Sequence, residues 1–283
     1  MPIPAELQTR EQFTAAYDNL AVIADAGAVV AALRGRSLAF HAAHDCVPDT
    51  AYGPGARQVY DWYPARGADA AVAPVLVFIH GGYWQARDKR DFCCVGAGAL
   101  AAGLHVVMAE YTLAPQARVP DMVAEMGMLL DALWKHPVLG AGGGRGPRIV
   151  LSGHSAGGHL AAMHRAHAAV AGVLAISGLF DLEPIRRGAL NDALGLDAAQ
   201  VGACSPQSRV GKGVATVLAA GGAELAELRR QSREYFDALR GAGEPVRLLE
   251  IAQANHMSIL AQLEDSEGAL LAEALALAAQ ARR

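Results

Sequence analysis

Six runs of unbroken apolar, β-type sequence constrain this chain more than anything else in it. They are "PVLVFI" (74–79), "LHVVMA" (104–109), "RIVLS" (148–152), "GVLAIS" (172–177), "ATVLAA" (215–220) and "VRLLEI" (246–251). None alternates apolar with polar residues. A strand of that kind has no face for water and belongs in a parallel sheet covered on both sides. Helix-length segments separate the runs, at about 88–102, 119–135, 156–169 and 226–241, and another follows the last run at about 258–280. Strand–helix–strand alternation with right-handed crossovers predicts an α/β sandwich of three layers. A further strand, "ARQVYDWY" (56–63), precedes the first run.

The 283 residues fit one such domain, and a hydrophobic fraction of 53 % against 18 % charged supplies a large core. Segment 180–210 breaks the rhythm, with no strand of its own. It is read as short helices laid over the carboxyl edge of the sheet, where open α/β folds bind ligands. Residues 1–40 also read as helical and are expected to join it, so the chain is one domain, 1–283, with cap elements from about 1–40 and 180–210. "GAGGGRGP" (140–147) reads as a flexible connection too short to divide domains.

Charge and cysteine usage exclude several function classes. The net charge is −4 and there is no basic stripe, which argues against nucleic acid as a partner. No apolar stretch reaches membrane-spanning length, since "GALLAEALALAAQ" is cut by Glu and Gly. The N-terminus lacks the apolar core of a signal peptide. Cys46, Cys93, Cys94 and Cys204 show no CxxC spacing, which fits a reducing compartment and buried thiols. The expectation is a cytoplasmic protein acting on a small molecule, without membrane or nucleic acid; a homodimer stays open.

One nucleophile candidate has the right context. Gly153-His154-Ser155-Ala156-Gly157 is G-x-S-x-G, placed directly after the apolar run 148–152 and directly before a helical segment. By itself the pattern is weak in a glycine-rich chain. At a strand-to-helix turn it holds a serine hydroxyl at a helix N-terminus, where developing negative charge is favoured. A second motif, His80-Gly81-Gly82-Tyr83-Trp84-Gln85, leaves the run 74–79. Adjacent glycines let backbone N–H groups approach an oxyanion, so Gly81 and Gly82 join Ala156 as candidate donors. Tyr83 and Trp84 are expected to wall the same cavity, with Phe180 facing them from the insertion.

The base is expected after the last strand. His256, in "AQANHMSIL", lies there. The acid is expected after the strand before it, where "GGAE" makes Glu224 the first carboxylate. Asp181, one strand earlier in "SGLFDLEP", is the rival acid. His159, His164 and His167 do not form HExxH and no carboxylate cluster accompanies them, so no metal is expected. Without GxGxxG or a phosphate loop, no cofactor is expected either.

Taken together, "HGGYWQ", "SGHSAGGHLA", "SGLFDLEPI", "NDALGL" and "NHMSIL" resemble the α/β-hydrolase type of kynurenine formamidase (arylformamidase), a group similar to the hormone-sensitive-lipase-like esterases. The resemblance runs over roughly residues 50–265. It implies an α/β-hydrolase fold, a mostly parallel sheet flanked by helices, with a small helical cap. It also implies a Ser155–Glu224–His256 triad and hydrolysis of N-formyl-L-kynurenine to L-kynurenine and formate. "GGAELAELRRQS" resembles the family stretch carrying the acid, with Glu224 where Asp is frequent. Met257 follows His256 where an aromatic is frequent, and Met257 is the expected substrate contact there. Arg186 or Arg187 is the expected partner for a substrate carboxylate. A general carboxylesterase for short acyl esters is the alternative reading.

Overall fold

The computed structural model describes residues 6–67, 70–139 and 147–280. Most of the glycine-rich connection, 140–146, lies outside the described residues. The strands are β1 (Val47–Ala51), β2 (Val59–Tyr63), β3 (Val75–Ile79), β4 (His105–Ala109), β5 (Ile149–His154), β6 (Val170–Ile176), β7 (Thr216–Gly221) and β8 (Val246–Ile251). They form one eight-stranded sheet in the order β1-β2-β4-β3-β5-β6-β7-β8. Pairing is antiparallel from β1 to β2 and from β2 to β4, and parallel in all other pairs.

Each of the six apolar runs became a strand, and the packing explains why they do not alternate. Val75, Val77 and Ile79 face one hydrophobic cluster, while Leu76 and Phe78 face another. The same division separates Val107 from Val106 and Met108, and Leu218 from Val217 and Ala219. Both faces are covered, so both sets of side chains are apolar. The described helices are α1 (Arg10–Ala15), α2 (Ala26–Ala43), α3 (Ala97–Ala101), α4 (Val119–Trp134), α5 (Ala156–Met163), α6 (Glu183–Arg187), α7 (Asn191–Leu194), α8 (Ala198–Cys204), α9 (Ala226–Gly241), α10 (Ala261–Glu264) and α11 (Ala269–Gln280). Leu129 and Leu130 of α4, Leu160 of α5 and Leu228 of α9 pack in the first cluster. Leu33 of α2, Ala99 of α3, Leu263 of α10 and Leu271 of α11 pack in the second.

One strand went unforeseen and three sequence expectations changed. β1 carries Pro48 and Asp49, has almost no apolar character and is mostly exposed, as an edge strand can be. It therefore gave no apolar signal. Segment 88–102 folds into two 3-10 turns and the five-residue α3 instead of one helix, and Gly96 and Gly98 let this stretch pack tightly against Val106 and the Leu263 carbonyl. Segment 258–280 breaks between α10 and α11, where Gly268 packs on the Gln262 carbonyl. The expected N-terminal cap divides. α1 lies against α6, with the Ala189 N–H donating to Thr14 Oγ1 at 2.9 Å. α2 instead runs under the opposite face of the sheet, where Ser37 Oγ donates to the Asp91 carbonyl at 2.9 Å. No helix among the described residues is long and apolar enough to cross a membrane.

The order β4-β3-β5 makes β3 and β5 a topological switch point, with a crevice outside their carboxyl ends. Ile79 at the end of β3 lies beside Gly153 of β5. The loops that follow these two strands therefore emerge together. Gly157, in the first turn of α5, closes this junction: a Cβ there would stand 1.9 Å from the Ile79 carbonyl oxygen. Backbone cannot yield as a side-chain tip can. Gly157→Ala should lower stability by about 1–3 kcal/mol, read as a fall in the urea midpoint with an unchanged m-value.

Candidate active site

Ser155 occupies the turn from β5 into α5 with φ 56° and ψ −117°, a conformation costly for any residue with a Cβ. Two hydrogen bonds hold it there. Its N–H donates to the Ile176 carbonyl at 2.8 Å, and its carbonyl accepts from the His159 N–H at 3.0 Å. The residue is nearly buried, but it lines a cavity of about 450 Å³ together with Gly82, Tyr83, His154, His256 and Met257.

The glycine loop leaves β3 alongside. A Cβ on Gly81 would lie 3.1 Å from Ser155 Cβ, so only glycine gives this approach without displacing the serine. Gly82 has φ +115°, which excludes side chains on conformational grounds as well. Among the described residues, no group accepts from the N–H of Gly81, Gly82 or Ala156. Three donors are thus grouped around Ser155 without internal acceptors, the electrostatic requirement for stabilising an oxyanion.

Beneath the loop lies a polar support: His80, at the edge of its motif, has the orienting role its sequence position suggested, while its acidic partner Glu110 was missed. His80 Nδ1 donates to the Gly81 carbonyl at 2.7 Å, and Nε2 meets Glu110 Oε1 at 2.9 Å. The His80 ring stacks on Tyr111 at 4.6 Å, and the Tyr111 hydroxyl donates to the His80 carbonyl at 3.1 Å. Glu110 also accepts from Arg57 Nη2 at 2.7 Å and from the Lys89 N–H at 3.0 Å. Burial pushes this carboxyl up, but His80, the Lys89 N–H and Arg57 outweigh it and bring it down to about 2. The available signal was "MAEYT": a carboxylate directly at the carboxyl end of a buried strand.

His256 and Glu224 meet on the other side of Ser155. His256 Nδ1 lies 3.2 Å from Glu224 Oε1, which also accepts from Ser177 Oγ. The acid and base loops are tied together by main chain, Gly222 N–H to the Ile251 carbonyl at 2.9 Å and Ala223 N–H to the Ala254 carbonyl at 3.0 Å. His154 Nε2 donates to the His256 carbonyl at 2.8 Å, and the two rings lie 4.4 Å apart. Burial, followed by the neighbouring His256, holds the His154 imidazole well below its ordinary value. His154 is therefore a neutral support for the base loop. No hydrogen bond joins Ser155 Oγ to His256, although both face the cavity. Asp181 takes no part: its carboxylate accepts the Glu183 N–H at 3.0 Å at the start of α6, and its own N–H donates to Gln231.

This arrangement of strands and loops has known relatives. Residues 76–205 match a family model described as alpha/beta hydrolase fold. A thioesterase candidate from Silicibacter sp. tm1040 superposes with a TM-score of 0.81 at 27 % identity, over 92 % of this chain and 97 % of that one. The Pyrobaculum calidifontis esterase does so with a TM-score of 0.71 at 18 % identity, over 99 % of each chain. The chain has the α/β-hydrolase fold. Among curated proteins, this hydrolase is similar to the kynurenine formamidase of Danio rerio, 28 % identical over 231 residues, 77 % of this chain and 76 % of the relative. The kynurenine formamidase of Drosophila melanogaster is 24 % identical over 236 residues, 76 % and 77 % of the two chains.

On the substrate side of the hydrolase, three sequence expectations fail: Trp84, Phe180 and the Arg186 or Arg187 carboxylate partner. Trp84 is fully buried and turned away from the cavity, its ring edge-on to His159 at 5.1 Å. Left-handed backbone at Tyr83 (φ 50°) and Trp84 (φ 58°) swings the indole beneath the loop. Phe180 is also buried, stacked on Tyr235 at 4.6 Å. Tyr83 and Met257 do line the cavity, with Tyr17, Leu20 and Leu190 supplying further wall. Arg186 and Arg187 do not line it; both pair with Glu183 at 2.7 Å. Among the described residues the one group of three clustered ligating side chains is His41, Cys46 and Asp61. Asp61 is engaged by Lys89 and Arg90, and burial pushes the Cys46 thiol up to about 11, so this set fits an internal polar cluster better than a metal site.

Two measurements check these assignments. Trp84→Ala should cost about 3–5 kcal/mol of stability by cavity formation, seen in urea unfolding, because the indole is core and not wall. Glu110 sits below its ordinary value of 4.5 at about 2, so its stabilisation is complete above about pH 4.5 and vanishes as pH falls through 2. Glu110→Gln should therefore lose on the order of 3 kcal/mol at pH 7, with its unfolding curve converging on the parent's towards pH 2.

Proposed function

We propose that the chain is an arylformamidase that hydrolyses N-formyl-L-kynurenine to L-kynurenine and formate. The observation that carries the chemistry is the gathering of Ser155, the His256–Glu224 pair and the unpaired N–H groups of Gly81, Gly82 and Ala156 around one cavity. The kynurenine formamidase relatives support the choice of substrate. Gly81 closes directly on Ser155, which leaves little room on the acyl side and suits a one-carbon acyl group.

In this mechanism Ser155 Oγ attacks the formyl carbon and its proton passes to His256 Nε2. Glu224 holds the Nδ1 proton and fixes the ring's tautomer. The carbonyl oxygen becomes an oxyanion held by Gly81, Gly82 and Ala156. The C–N bond breaks as His256 protonates the departing aryl amine, leaving a formyl ester on Ser155. Water then attacks that ester with His256 as base, and formate departs. His256 must close on Ser155 when substrate binds, a tightening common at acid–base sites.

Steady-state kinetics on N-formyl-L-kynurenine beside p-nitrophenyl butyrate tests this reading. The formamide should give the higher kcat/KM, since even one extra methylene in a tight acyl pocket discriminates by about 1–3 kcal/mol. Comparable efficiency on the butyrate ester would favour the short-acyl carboxylesterase. Ser155→Ala should lower kcat by several orders of magnitude with unchanged urea stability.

A further inference from the structure

The cavity beside Ser155 carries one cation and one anion that the chain itself does not pair. Arg87 lines it and is half-buried. Cations in its neighbourhood and on the cap are taken: Arg57 by Glu110, Lys89 and Arg90 by Asp49 and Asp61, Arg186 and Arg187 by Glu183. Among the described residues no carboxylate takes the Arg87 guanidinium. Its stem starts at the oxyanion loop, where a Cβ on Gly82 would stand 2.8 Å from Arg87 Cγ.

Asp18 and Asn19 line the same cavity from the segment after α1. Asp18 is exposed, and one oxygen accepts the Ala21 N–H at 3.2 Å; among the described residues no cation pairs with it. Asn19 is 3 % exposed, and its Oδ1 has no hydrogen-bond partner. The network fixes which atom that is. The Tyr83 hydroxyl donates to the Tyr17 carbonyl, so it can only accept from Asn19, at 2.6 Å. Nδ2 therefore faces Tyr83 and Oδ1 is the atom left over. A buried acceptor without a donor is an unusual feature that a ligand can satisfy.

We infer that this part of the cavity is a subsite for a zwitterion. Arg87 takes the α-carboxylate of an amino-acid tail on the leaving group, and Asp18 with Asn19 Oδ1 takes its α-ammonium. A simple anion would meet Arg87 but be repelled by Asp18; both charges are satisfied only by a ligand that carries both. The inference rests on the arylformamidase reading, because that substrate carries its amino-acid tail on the ring carbon next to its reacting formamide, so the tail's subsite must lie beside Ser155 in the same cavity.

The test compares N-formyl-L-kynurenine with N-formylkynurenamine, which lacks the carboxylate, and with formanilide, which lacks the tail. Arg87→Gln should reduce kcat/KM for N-formyl-L-kynurenine on the order of 10- to 100-fold more than for formanilide, mainly through KM. It should also remove the preference over N-formylkynurenamine, and Arg87→Lys should restore part of it. Asp18→Asn, at an exposed position, tests the ammonium side if Arg87→Gln does not fold. Calorimetry of L-kynurenine binding, which needs no turnover, separates the two proposals. Binding weakened by Arg87→Gln in a chain that cleaves no aryl formamide would keep the subsite and overturn the arylformamidase reading. Formamide cleavage with a tail preference that survives both Arg87→Gln and Asp18→Asn would overturn the subsite and leave that reading intact. Absence of both L-kynurenine binding and tail preference would overturn the subsite outright.

Discussion

The contact between the first turn of α5 and the end of β3 is the constraint on which the site depends. Gly157 lies so close to the carbonyls of Ile79 and His80 that no side chain fits between them. This approach brings the serine turn and the glycine loop onto a shared base at the switch point of the sheet. The nucleophile and the Gly81 and Gly82 donors come from segments more than seventy positions apart in sequence. They are held at van der Waals distance by backbone touching backbone, an interaction with little freedom to relax.

Two buried histidines carry that geometry outward, and neither is positioned to react. His80 fixes the glycine loop through the Gly81 carbonyl and is itself held by Glu110. His154 fixes the base loop through the His256 carbonyl. Each flanks a motif in sequence and supports a loop in space. The acid loop is held by main-chain bonds to the strand and loop before His256, so acid and base move as a unit. A site supported in this way reaches the transition state with little reorganisation, which is the source of most electrostatic catalysis.

The architecture was legible because its signal is collective. Six apolar runs with helices between them admit few topologies, and the residues that need a special backbone, Gly81, Gly82 and Gly157, stand in motifs. What escaped were properties of side-chain direction. Nothing in "HGGYWQ" says which way the indole turns, because that follows from positive φ at Tyr83 and Trp84. Glu110 escaped because its partners, Arg57, His80 and Lys89, come from three separate segments. The exposed β1 escaped because an edge strand need not be apolar. Arg87 escaped for the opposite reason: its distinction is the lack of a partner, visible only after every nearby cation has been paired.

Trp84 then has a role that its position in the motif conceals. Tyr83, Trp84, Arg87, Ser155 and Ser177 all have positive φ without being glycine, and all sit in loops at the carboxyl edge of the sheet. Each such residue costs on the order of 1 kcal/mol or more and persists only when its surroundings hold it. The glycine loop is short and solvent lies on one side, so an anchor is needed beneath it. Trp84 is the largest fully buried side chain in the protein's core, and its carbonyl also accepts the Ala114 N–H at 2.8 Å. Complete burial of an indole stabilises by more than the strain at one residue costs, even with its N–H left without a partner. The tryptophan after the two glycines is thus the weight that keeps the strained donors aimed at Ser155, and the aromatic surface offered to a ligand comes from Tyr83 and the cap.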